Sequence, residues 1–169
     1  ASRLAYLDST FPRQAALEYA PWLVANLTLS RMPNEKGYPL CWDNVIYKSP
    51  SLGYVNATHQ SVSSRIDRSV WTYYLALSHA SPREARRELL ATGWEQWTQR
   101  ILADLSQPHP DIAQCVSRID VFRIGHAMAR PTPGFLTRLG PPQGPARPRF
   151  YLANSDRSSL SLFEEAQYH

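Results

Sequence analysis

The sequence predicts an α+β fold: a mixed or antiparallel β-sheet with helices packed on one face. Three observations predict it. Strand-like runs outnumber helical ones and come in succession, with one strong helical stripe between them. That order is not the steady βαβ alternation of a doubly wound sheet. The chain has 169 residues, enough for one domain with a real core. Its 43% hydrophobic and 19% charged content is ordinary for a globular protein, so neither disorder nor a fibrous architecture is indicated.

Residues 12–19 read as a short helix, with Pro12 near its first position and Pro21 closing it. Residues 22–29 alternate: Leu23, Ala25, Leu27 and Leu29 point one way, and Val24, Asn26 and Thr28 the other. A polar loop with Pro, Asn and Gly covers 31–39. Two strand-like runs, 40–47 and 52–59, flank the turn at 48–51 and predict a hairpin. A polar connection at 61–68 leads into 70–77, the strongest strand pattern, rich in aromatic and β-branched residues.

Ser81, Pro82 and Glu84 form a capped helix start. Leu90, Trp94, Trp97, Ile101 and Leu105 then fall at helical spacing, which predicts one long helix with these five against the sheet. Pro108 and Pro110 end it, and a single helical turn follows at 111–116. Residues 118–130 alternate as a long strand, one face carrying Asp120, Phe122, Ile124, His126 and Met128. Six prolines make 131–148 a loop. Phe150, Tyr151, Leu152 and Ala153 form a short apolar strand, and Ser161 with Glu164 opens a last helix as a capping box. These divisions suggest an α+β portion over 1–148 and a strand-loop-helix segment over 149–169. The last helix is cut off without a stop signal, which suggests a piece of something larger.

The net charge is +4, but the arginines are scattered and the only lysines are Lys36 and Lys48, so no nucleic-acid surface is expected. No run of about 18 apolar residues is present, so no membrane partner is expected and the chain reads as soluble, cytoplasmic or periplasmic. Cys41 and Cys115 form no framework and read as buried free thiols. His59, His79, His109 and His126 lack ligand spacing, so no metal site is expected. No Walker, HExxH or G-x-S-x-G pattern occurs, which leaves a hydrolase without a nucleophile motif.

Polar groups inside apolar strands stand out at Trp42 to Val45, Ala57 to Gln60 and Gly125 to Arg130. Buried, such groups need partners. Asn44, His59 and His126 therefore have two readings: satisfied sheet residues, or the lining of a cavity floored by the sheet. At the C-terminus, Ser155, Asp156, Ser158 and Leu160 belong to a polar loop between strand and helix, a geometry suited to a polar cofactor.

Together, Pro21 to Asn26, Trp42 to Val45, Ser49 to Tyr54, Ala57 to Gln60, Gly125 to Met128, Arg130 with Pro131, Ser155 with Asp156, and Phe163 to Tyr168 resemble the C-terminal part of bacterial FAD-dependent oxidoreductases of the flavin amine oxidase superfamily. The resemblance implies a substrate-binding part over 22–128 and a returning flavin-contact segment over 150–169. It implies FAD as cofactor, held in the intact parent by an N-terminal dinucleotide-binding half and not tightly by this chain, which alone would be inactive. Hydride would pass from a small-molecule substrate to the flavin. Trp42, Asn44 and His59 would contact substrate, His126 would be catalytic, and Ser155, Asp156, Ser158 and Leu160 would meet the cofactor. The glycines usual in the family's last loop are replaced by Arg157, Ser158 and Ser159, which works against close backbone approach there. An exposed docking face would make a homodimer possible. The alternative reading is a non-enzymatic α+β ligand-binding or interaction module.

Overall fold

A computed structural model describes residues 18–60, 62, 66–134, 155 and 160–168, with the side chains of 59 and 60 excepted. The elements are β1 (Tyr19–Leu29), β2 (Asp43–Asn44), β3 (Gly53–Asn56), a 3-10 turn (Ala57–Gln60), β4 (Ser69–Ala76), α1 (Pro82–Ala91), α2 (Trp94–Leu105), α3 (Ile112–Cys115), β5 (Val116–Ala129) and α4 (Phe163–Tyr168). The fold is α+β, as expected, around a five-stranded antiparallel sheet in the order β2-β3-β4-β1-β5. Two compact units are distinguished: 21–125, and 1–20 together with 126–169.

The larger unit is built on the alternation read from the sequence. Leu23, Ala25, Leu27 and Leu29 of β1 are fully buried, and Trp71 and Tyr73 of β4 lie on the same face. β1 and β4 pair antiparallel with Leu27 opposite Trp71 and Ala25 opposite Tyr73. Ala85 and Leu89 of α1 and Trp97, Ile101 and Leu105 of α2 complete this core. Each large side chain taken wholly from water contributes about 1.5–3 kcal/mol, so this layer is the main source of stability.

The single long helix expected over 82–105 is two. Thr92 and Gly93 are both extended, so the chain breaks and restarts with Gly93 as the cap of α2. The capping box at Ser81 and Glu84 is present as predicted. The break puts the two helices out of phase: α2 keeps Trp97, Ile101 and Leu105 of the expected stripe in the core, and α1 turns a different face inward. Leu90 and Trp94 are therefore exposed, and Ala85 and Leu89 take the core positions. Trp94 instead reaches β5, where Nε1 donates to the carbonyl of Ile119 at 3.2 Å. Arg86 Nη1 donates to the carbonyl of Gly125 at 3.3 Å, so helix side chains engage the β5 backbone at Ile119 and at Gly125.

The hairpin is shorter than predicted. Only Asp43 and Asn44 pair with Val55 and Tyr54, and residues 57–60 turn into a 3-10 helix instead of continuing the strand. Gly53, Tyr54, Val55 and Asn56 pair with Tyr74, Tyr73, Thr72 and Trp71 of β4. The single turn expected at 111–116 is α3, and the long strand expected at 118–130 is β5, two residues earlier at its start. Cys115 is buried as expected, but Cys41 is exposed, because it lies in the loop before β2 and not in a strand. The helix expected at 12–19 lies outside the described residues except at its end, where Tyr19 already belongs to β1. The strand at 150–153 also lies outside them. α4 starts at Phe163, but Ser161 does not cap it: its Oγ accepts from the Ala129 N–H at 2.9 Å.

Candidate functional site

The sheet offers two unlike faces. One is sealed by α1 and α2. The other carries Trp22, Val24, Asn26 and Thr28 of β1, and Val70, Thr72 and Tyr74 of β4, all half-buried except Val70, which is exposed. Val55 joins them from β3, opposite Thr72. On β5, Phe122 and Ile124 are exposed where Ile119 and Val121 pack toward the core. Trp22 and Tyr74 meet edge to face with centroids 6.5 Å apart. Thr72 Oγ1 donates to Asn26 Oδ1 at 2.9 Å.

Polar networks inside the core hold the sheet edge that bears Trp42 and Asn44. Asp104 of α2 is buried (7% exposed) and accepts from Ser49 Oγ at 2.6 Å and from Tyr73 OH at 2.8 Å on Oδ2, and from Gln107 Nε2 at 3.0 Å on Oδ1. Ser49 Oγ in turn accepts from the Ser51 N–H at 2.9 Å. Burial pushes the Tyr73 phenol well above its ordinary value, which keeps it a proton donor. Asp104→Ala should cost about 2–3 kcal/mol, since the buried Tyr73 hydroxyl and the half-buried Ser49 hydroxyl lose their acceptor. Asp104→Asn, which keeps one carbonyl oxygen, should cost about 1 kcal/mol. Urea unfolding of the three proteins compares the two, and equal midpoints would show the network to be idle.

A second network pins the 31–40 loop. Tyr54 OH is hydrogen-bonded to His109 Nε2, and His109 Nδ1 lies 3.1 Å from the carbonyl of Asn34. A carbonyl can only accept, so Nδ1 carries the proton and Nε2 accepts from the phenol. Trp71 stacks on Tyr54 with centroids 4.5 Å apart and lies 4.8 Å from the His109 ring. Asp111 holds the same loop by accepting from Arg31 Nη1 at 2.7 Å and from the Asn34 N–H at 2.9 Å. The Arg31 bond is the chief reason the Asp111 carboxyl sits below its usual range.

Burial holds His109 below its ordinary value of 6.5, against the opposing pull of the Asn34 carbonyl. The unfolded chain therefore binds a proton near 6.5 that the folded chain resists, so stability is lost as pH falls through 6.5 toward the folded value. Urea midpoints should drop between about pH 7.5 and 5.5, and His109→Gln should flatten that part of the profile. An unchanged slope in the variant would assign the pH dependence to other groups.

The predicted site residues divide between the two units. Trp42 is exposed, and its carbonyl accepts from the Asn56 N–H at 2.8 Å. Asn44 is half-buried and fully engaged: Oδ1 accepts from the Cys41 N–H, and Nδ2 donates to the carbonyls of Cys41 and Tyr54. Its role here is to clasp the turn that presents Trp42. Backbone pairing brings Trp42 and Asn44 beside β3, whereas His59 lies beyond that pairing, in the 3-10 turn that follows Asn56. In the smaller unit His126 is exposed on β5, its ring edge-on to Tyr19 with centroids 6.1 Å apart. His126 is therefore not a core residue of the sheet. Ser155 and Leu160 are half-buried, and the Leu160 carbonyl accepts from the Leu162 N–H. Asp156 and Ser158 lie outside the described residues. Ser161 meets Ala129, which ties the terminal segment to the end of the strand bearing His126.

Sequence reasoning did not single out Asn26, Thr72 or Tyr74 as site residues. The signal was available: Asn26 breaks the outward apolar pattern of 22–28 as sharply as Asn44 breaks that of 40–47. No protein-family model matches the sequence, and no curated protein matches it either.

Proposed function

We propose that this chain is the substrate-binding and flavin-capping part of an FAD-dependent oxidoreductase resembling the flavin amine oxidase superfamily. The observation that carries the reading is the half-exposed, aromatic and apolar sheet face opposite the helix-covered one. An antiparallel sheet face that met only water would ordinarily be polar. A mostly apolar surface with a few placed polar groups is the usual lining of a small-molecule site.

The described residues do not suit FAD's pyrophosphate. α4 carries Glu164 and Glu165 in its first turn, which disfavours an anion at that helix end. The pyrophosphate therefore belongs to the N-terminal dinucleotide-binding half of the intact parent, and the flavin, when bound, supplies the hydride chemistry. This chain's share is to bind and orient substrate. Exposed Tyr38, Trp42, Val45, Tyr47 and Leu52 offer apolar surface to the partner half. Without that half, the chain should self-associate on a sizing column as its concentration rises.

Flavin content tests the reading. The intact parent should purify yellow with about one FAD per chain, and this chain alone should be colourless. A colourless parent that still binds small molecules would favour the non-enzymatic ligand-binding module. This chain purifying alone with stoichiometric flavin would overturn the division of labour.

A further inference from the structure

The outward sheet face carries one polar pair in which the hydroxyl proton is already committed. Asn26 and Thr72 stand directly opposite each other in the β1–β4 register. Thr72 Oγ1 donates its only hydrogen to Asn26 Oδ1 at 2.9 Å. What remains is complementary: Asn26 Nδ2 keeps two N–H donors, and Thr72 Oγ1 keeps lone pairs that accept. Among the described residues nothing accepts from that Nδ2, and nothing donates to that Oγ1. Around the pair lie Val24, Val55, Val70 and Tyr74, and the outward positions of β1 and β4 bear no charged side chain.

We infer that this pair reads a cis-amide, the edge of a ring lactam or imide, in a flat apolar ligand. Such a group presents C=O and N–H side by side. Asn26 Nδ2 donates to the carbonyl oxygen, and Thr72 Oγ1 accepts from the N–H. A carboxylate would set an oxygen against the Thr72 lone pairs, and an ammonium would leave Nδ2 unused. A recognition site rejects a ligand that leaves its polar groups unmatched more strongly than it rewards a slightly better fit. The inference rests on the substrate-binding reading and narrows it to a substrate class.

The probes are isoquinolin-1(2H)-one and its N-methyl derivative, titrated at millimolar concentration into the ¹⁵N-labelled chain and followed by NMR. The lactam should shift the Asn26 side-chain NH₂ and Trp22 indole signals saturably. The N-methyl compound, with no N–H to give, should bind about tenfold more weakly. Thr72→Val should weaken lactam binding about fivefold, and Thr72→Ser should restore it. Asn26→Asp, which turns the spare donors into acceptors, should abolish the shifts. If Asn26→Asp does not fold, the probe pair and the two Thr72 variants decide.

Equal binding of both probes, shifts confined to other residues, or no saturable shift would overturn the inference. So would face signals that move with protein concentration alone, since the face would then be a protein–protein surface. Flavin content of the intact parent separates this failure from that of the wider reading. A flavoprotein whose Asn26 ignores the lactam sinks only the amide assignment. A flavin-free parent whose Asn26 answers the lactam sinks only the oxidoreductase reading.

Discussion

Gly53→Ala should destabilise the chain by about 3 kcal/mol or more, a large effect for one methyl group. Gly53 opens β3 with φ at +96°, a conformation that L side chains rarely adopt. The larger problem is space. A Cβ there would drive into the carbonyl of Asn44 across the hairpin, falling 2.9 Å from its carbon and 3.0 Å from Val45 Cα. Those are backbone atoms, so relief requires β2 to move away from β3. That movement would break the pairing of Asp43 and Asn44 with Val55 and Tyr54 and the Asn44 side-chain bond to the Tyr54 carbonyl. Gly37→Ala is the matched control. Gly37 has φ at +103° but nothing within 4 Å of its absent Cβ, so only the conformational cost of about 1 kcal/mol applies. Urea unfolding of the two variants separates strain from collision, and equal losses would mean that the hairpin yields freely. Loss of β2 would also release Asn44 and Trp42, so a substrate site at this edge would fail with it.

What was legible in the sequence was legible by period. Leu23, Ala25, Leu27 and Leu29 alternate without interruption, and β1 is buried in that pattern. The Ser81 and Glu84 box begins α1 where it was read, because side-chain caps are local chemistry. The break at Thr92 and Gly93 was not legible. Leu90, Trp94 and Trp97 hold helical spacing straight across it, and one glycine in a helical pattern is commonly tolerated. What decides is tertiary: Trp94 is placed where its indole N–H meets the Ile119 carbonyl, 25 residues away. The hairpin failed in extent for a similar reason. Asn56 is buried and its Oδ1 accepts from the Ser69 hydroxyl and the Thr58 N–H, which turns the chain into the 3-10 helix. The buried networks around Asp104 and His109 were invisible, because Ser49, Tyr73 and Asp104, or Tyr54 and His109, are tens of residues apart and carry no spacing rule. His109, the most deeply buried histidine described (3% exposed), was not among the candidates, and His126, the leading one, is exposed.

That exposure makes His126 the most informative residue to change in the intact flavoprotein proposed above. Its ring touches Tyr19 edge-on, and among the described residues neither nitrogen has a hydrogen-bond partner. Among the described residues only the Tyr19 ring contact involves the imidazole, and surface substitutions away from special features shift stability by about ±0.5 kcal/mol. His126→Asn should therefore leave the melting temperature within about 2 °C of the parent's. If the imidazole orients substrate or accepts its proton, flavin reduction by substrate should slow by about 10²-fold, the lower end for a positioned acid or base. The loss should appear in the rate of reduction and not in flavin content, because the histidine lies on β5 and not in the loop read as meeting the cofactor. Stopped-flow reduction beside a thermal melt measures both. Unchanged reduction with an unchanged melt would remove His126 from the site. A fall in melting temperature with normal turnover per folded molecule would mean that the residue serves the fold through Tyr19. Only slowed reduction at constant stability supports a role in chemistry, and it would do so at the end of the strand where Ser161 ties the terminal segment to Ala129.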